Sequence, residues 1–176
     1  MRLWIFAATA LALSSAALAI TPVTAKKEAA VNAIDRAIAS EEIRNLKARY
    51  WLGVDRRDAA MIKATLAPDV VADYTQVALP PGNTVSEVLH GADAVAKGVA
   101  ATPAEPGGGL HFGGQPVLEF TSATTVTAIW PMIGFGHVAA GGGTRVGELY
   151  YYHDSFERIG DVWKIKSIRL THADQR

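Results

Sequence analysis

From Leu110 onward the chain is almost unbroken strand sequence, and this limits its fold more than any other feature. The segments "LHFGGQPVLEF", "TTVTAIWPMIGFGHV", "TRVGELYYYHDSFERI" and "VWKIKSIRLTH" follow one another, joined only by "TSA", "AAGGG" and "GD". Connections this short join antiparallel neighbours, so the pattern predicts a meander. Ile159-Gly160-Asp161-Val162 has the spacing of a tight hairpin. Gly113, Gly114 and Pro116 predict a bulge that bends the first of these strands.

The preceding part reads as helix. Ser40 is placed as an N-cap, with Glu41 and Glu42 in the first turn. Ile43, Leu46, Tyr50 and Val54 then recur at three- and four-residue spacing, which makes one helix face. Asp58 is suited to cap a second short helix, "AAMIKATLA", with Pro68 as its stop. "DVVADYTQV" alternates like a strand, and "ADAVAKGVA" forms a third short helix. "LPPGNTVSEVLHG" and "TPAEPGGG" are loops, the second long enough for a lid. Helices first and a meander after predict an α+β domain. A strongly curved antiparallel sheet with the N-terminal helices on its concave face makes a cone. The inside of such a cone is an apolar pocket open at one end.

The N-terminus carries its own signal. "MRLWIFAATALALSSAALA" has one positive residue, an apolar run and a closing Ala17-Leu18-Ala19. That is the layout of a secretory signal peptide, with cleavage expected after Ala19. Residues 20–39 then form a helical extension, and residues 40–174 form the cone domain. A chain without cysteine that is exported this way fits a periplasmic or secreted location, with no stable membrane insertion after cleavage. Lys plus Arg equals Asp plus Glu at 17 each, which gives no electrostatic reason to expect a nucleic-acid partner. The five histidines are scattered without ligand spacing, so no metal site is expected. No glycine-rich nucleotide loop and no Gly-x-Ser-x-Gly elbow is present.

Taken in order, these segments resemble a known family. "EEIRNLKARYWLGVDRRDAAMIKATLAPDVVADY", "HGADAVAKGV", "HFGGQPVLEF" and "YYYHDSFERIGDVWKIKSIRLTH" are together similar to the SnoaL-like domains of the nuclear-transport-factor-2-like superfamily. The resemblance implies the cone fold and a site inside it that needs no cofactor. It implies proton-transfer chemistry on bulky, largely apolar molecules, as in ketosteroid isomerases, polyketide cyclases, and scytalone and bile-acid dehydratases. The dehydratase branch uses a Tyr and an Asp from the first helix and a His from the sheet. Here those positions are Tyr50, Asp55 and His111. Association into a homodimer or homotrimer is a further implication.

The chemistry suits those residue types. A carboxylate fixes an imidazole tautomer and stabilises its protonated form, and a phenol polarises a substrate oxygen. Helix geometry raises an objection, because five residues at ~100° each put Tyr50 and Asp55 about 140° apart. Tyr74, Trp130, Met132, Tyr151 and His153 are candidate substrate contacts, although aromatic residues in a sheet also serve as plain packing. Alternation places Tyr151 and His153 on one sheet face and Tyr150, Tyr152 and Asp154 on the other. The expected function is a cofactor-independent lyase, of dehydratase or retro-aldol type, or an isomerase acting on a small aromatic or polycyclic molecule. The alternative is a non-catalytic periplasmic binding protein for a hydrophobic small molecule.

Overall fold

The computed structural model describes residues 32–77, 87–102, 108–137 and 143–173. The expected signal peptide and most of "TPAEPGGG" lie outside them. Among the described residues three helices and seven strands are arranged as α1 (Ala33–Arg56), α2 (Ala59–Thr65), β1 (Leu66–Asp73), β2 (Leu89–His90), α3 (Ala92–Ala100), β3 (Gly109–Gly113), β4 (Val117–Phe120), β5 (Thr125–His137), β6 (Thr144–Ile159) and β7 (Val162–His172).

Helix α1 begins earlier than Ser40. Asn32 is the N-cap, and its side chain accepts the Asp35 amide at 2.8 Å. The reason is local. The alanine-rich stretch before Ser40 favours helix and contains no breaker, so the helix runs straight through it. Ser40 is an interior residue whose hydroxyl donates to the Arg36 carbonyl at 2.6 Å. At the other end Arg57 takes a left-handed conformation (φ 56°) and its amide closes onto Gly53 and Val54. Asp58 then caps α2 by accepting the Met61 amide at 2.9 Å, as its sequence position predicts.

The strands form one sheet in the order β2-β1-β7-β6-β5-β3, with β4 also on β5. The meander is as expected, but the sheet is mixed: β1 runs parallel to β7. The helical stretch that separates β1 from the meander lets it join the far side of the sheet in that direction. The predicted bulge at Gly113–Pro116 is a strand break. β3 and β4 lie end to end along β5, pairing Gly113 with Met132 and Val117 with Ile129. Gly160 (φ 61°) turns the β6–β7 hairpin.

The sheet curls around α1. Its inner face supplies Val126, Ala128, Trp130 and Met132 from β5, Tyr152 and Phe156 from β6, and Ile165, Ile168 and Leu170 from β7. Helix α1 contributes Ile43, Leu46, Tyr50 and Trp51 to the same core. Gly113 is needed where the two meet, because a Cβ there would lie 1.9 Å from the Trp51 ring. The fold is the expected α+β cone.

Candidate active site

The C-terminal half of α1 presents two rows of side chains to the sheet. Ile43, Leu46 and Tyr50 form one, and Lys47, Trp51 and Asp55 form the next ridge at four-residue spacing. The rows meet different strands, so the helix-geometry objection holds: Tyr50 and Asp55 do not meet at one point.

Asp55 reaches β3. Its Oδ1 lies 2.6 Å from His111 Nδ1, and its two carboxylate oxygens accept the His111 backbone N–H at 3.1 and 3.3 Å. The carboxylate is thus held at two points by one residue. Its side chain is 11% exposed and that of His111 29%, so the dyad sits at a rim that solvent still touches. With Nδ1 committed to Asp55, Nε2 has no protein partner among the described residues.

Tyr50 goes elsewhere. Its hydroxyl lies 2.7 Å from the hydroxyl of Tyr74, just beyond β1, and both rings are buried. Burial, then the nearby Tyr74, Tyr152 and Asp154, pushes the Tyr50 phenol well above its usual range. Burial pushes Tyr74 up in the same way, against the bond from Tyr50. Tyr152 is raised by burial, then by Tyr74 and Asp154, and also by the Asp55 carboxylate. Tyr152 therefore lies within electrostatic reach of both pairs. All three phenols stay protonated at neutral pH, and one of Tyr50 and Tyr74 donates its hydroxyl proton to the other.

The sequence-predicted residues thus fall into three groups. Asp55 and His111 are in direct contact. Tyr50 joins Tyr74, with Trp130 and Met132 buried in the same core. Tyr151 and His153, two further candidate substrate contacts, lie on the face of β6 that turns away from α1. Tyr151 is 37% exposed, and His153 Nε2 lies 3.1 Å from the Thr171 hydroxyl. Among the described residues the helices lie on one face of the sheet, and Tyr152 and Asp154 occupy that one. His153 instead lines a groove of about 520 Å³ on the open face, with Ser155, Ser167 and Arg169. Burial, and then Arg169, lowers its pKa.

Lys47 was missed. Its ammonium lies 2.8 Å from the Asp154 carboxylate, and both side chains are 0% exposed. The ammonium also lies over the rings of Tyr152 at 3.8 Å, Tyr50 at 4.6 Å and Trp51 at 5.2 Å. Burial lowers the pKa of Lys47 and raises that of Asp154, while their mutual attraction opposes both shifts. A signal for Lys47 exists in the sequence, since it follows Ile43 by four residues and precedes Tyr50 by three. A charge at a core-facing position needs a buried partner.

No group of three or more His, Asp or Glu among the described residues has a metal-holding arrangement. No helix among them is long and apolar enough to cross a membrane.

Comparison with known proteins speaks to the family and the fold. A family model described as a SnoaL-like domain matches residues 35–169. A hexachlorocyclohexane dehydrochlorinase of LinA type 2 superposes with a TM-score of 0.64 at 20% identity, covering 81% of this chain and 90% of that one. A candidate scytalone dehydratase from Novosphingobium aromaticivorans gives 0.62 at 17% identity, covering 81% and 93%. An NTF2-like protein with a cystatin-like fold from the same species gives 0.60 at 20% identity, covering 80% and 86%. At these identities the likeness shows a shared fold. No curated protein sequence matches the chain.

Proposed function

We propose a function from one premise: this chain belongs to the SnoaL-like domain family, within the NTF2-like fold. It is a lyase of the dehydratase type whose own side chains move the proton. The observation that carries the reading is the 2.6 Å contact between His111 Nδ1 and Asp55 Oδ1. A carboxylate on Nδ1 holds the ring in the tautomer whose Nε2 lone pair is free to take a proton.

The step is an elimination. His111 Nε2 takes a proton from a ring carbon, the electron pair of that C–H bond forms the new C=C bond, and the leaving group departs from the neighbouring carbon with its bonding electrons, as chloride or, on taking the proton from the His111 imidazolium, as water. The imidazolium formed is stabilised by Asp55. The Tyr50–Tyr74 pair stays in the buried core and is assigned no part in the step. The dehydrochlorinase and the candidate scytalone dehydratase that share the fold support elimination as the class. Export with loss of residues 1–19, and association of the mature chain with its own copies, belong to the same proposal.

The test is elimination from a panel of cyclic alcohols and polychlorinated cyclohexanes. Asp55→Asn and His111→Ala are expected to lower the rate by about 10²–10⁴-fold, the usual contribution of a positioned acid–base group. Unchanged turnover in both variants would remove the reading. Binding of the panel without any turnover by the wild-type protein would make the chain a binding module instead.

A further inference from the structure

We infer that the buried Lys47–Asp154 ion pair is the positioning device of the Asp55–His111 dyad. It sets the rotation of α1 about its own axis so that the Asp55 carboxylate meets His111. This rests on the reading of the dyad as the proton-moving unit, but its test does not need that reaction.

Lys47, Trp51 and Asp55 are successive members of one ridge of α1. The ridge crosses the sheet from Asp154 on β6, past Trp130 on β5, to Gly113 and His111 on β3. Between its two ends the contacts are ring against ring: Trp51 packs edge to face on Trp130 at 5.6 Å and on Tyr152 at 5.9 Å. Those contacts, with Trp51 seated against Gly113, fix the middle of the ridge by shape. The dyad at its end does not tolerate a small roll of the helix. At a side-chain radius of ~6 Å, a roll of ~20° moves a carboxylate by about 2 Å. That is enough to break a 2.6 Å contact.

The ion pair supplies a direction at the other end of the ridge. Lys47 Nζ is fixed by one carboxylate and enclosed by three rings. Stability does not explain its presence. Among the described residues neither the ammonium nor either carboxylate oxygen finds a further hydrogen-bond partner, so burying these charges is poorly compensated. An apolar pair of similar volume would fold at least as well, and the best-attested use of such a charge pair is to specify one register among several.

The experiment compares four proteins: wild type, Asp55→Asn, the double variant Lys47→Met/Asp154→Leu, and Asp154→Glu. The readouts are thermal stability and the ¹⁵N spectrum of the His111 ring, assigned by its loss in His111→Gln. The double variant removes both charges together, so it is expected to keep or raise the wild-type Tm. Its His111 spectrum is expected to move from the wild-type tautomer toward that of Asp55→Asn. Any elimination activity is expected to fall by about a hundredfold, the loss that ~1 Å of misplacement brings. Asp154→Glu keeps both charges and shifts the carboxylate by one methylene, so it is expected to move the spectrum in the same direction by less. It decides the matter if the double variant does not fold. A folded double variant, or failing that Asp154→Glu, with a wild-type His111 spectrum overturns the inference. A shifted spectrum in a family of proteins that never turn over substrate leaves the positioning intact and overturns the proposed function instead.

Discussion

The two faces of β6 carry nearly the same residue types and have opposite fates. Tyr152 and Asp154 point at α1 and are buried, whereas Tyr151 and His153 point outward, beside Ser155 and Arg169. Each face has a Tyr and a titratable group. On the inner face burial raises the Asp154 pKa and binds it to Lys47. On the outer face His153 is only partly buried and its ring meets a threonine hydroxyl. The chemistry available to a side chain is set here by which face α1 covers, and only secondarily by the residue itself.

Single substitutions separate the faces most sharply. The largest effect is expected from Lys47→Met alone, which leaves the Asp154 carboxylate buried and unpaired. A loss of ~3–5 kcal/mol is expected in chemical denaturation, in contrast to the double variant. A stability within ~1 kcal/mol of wild type would mean that Asp154 is easily hydrated or protonated. Next comes Gly113→Val, whose Cβ would overlap the Trp51 ring. A loss of about 1–3 kcal/mol is expected, together with a change in Trp fluorescence as the ring moves off β3. No change in either would mean that the α1–β3 approach is loose. The smallest effect belongs to the outer side of β1. The side-chain and backbone hydrogen bonds from Thr75 hold the Asp73 carboxyl below its usual range. A depressed folded-state pKa adds stability that is fully present above the ordinary Asp pKa of about 3.9, and it is lost as pH falls through the lowered value. Thr75→Val is expected to raise the Asp73 pKa in an NMR titration and to reduce the stability only on the neutral side of that window. An unmoved Asp73 titration would contradict this assignment.

Much of this was legible in the sequence. The meander, the Asp58 cap, the β6–β7 hairpin and the pairing of Asp55 with a histidine on the sheet follow from spacing, turn residues and the family resemblance. Other features were hidden for stated reasons. Ser40 has the chemistry of a cap, but the alanines before it carry the helix through, since propensity summed over a turn outweighs one candidate cap. Alternation correctly split Tyr151 and His153 from Tyr152 and Asp154. It carries no information on which side the helices cover. The parallel β1–β7 pairing depends on contacts distant in sequence. Lys47 left a trace as a charge within an apolar stripe, but its partner Asp154 lies more than a hundred residues later. Strand alternation alone does not join them.

The most direct test sets one histidine of each face against the other. Elimination rates of His111→Gln and His153→Gln are measured in the same assay, with thermal unfolding to verify that both fold. The account predicts a fall of about 10²–10⁴-fold for His111→Gln and a change of no more than about twofold for His153→Gln. Equal losses in the two variants, or a larger loss at His153, would contradict the placement of the chemistry on the inner face.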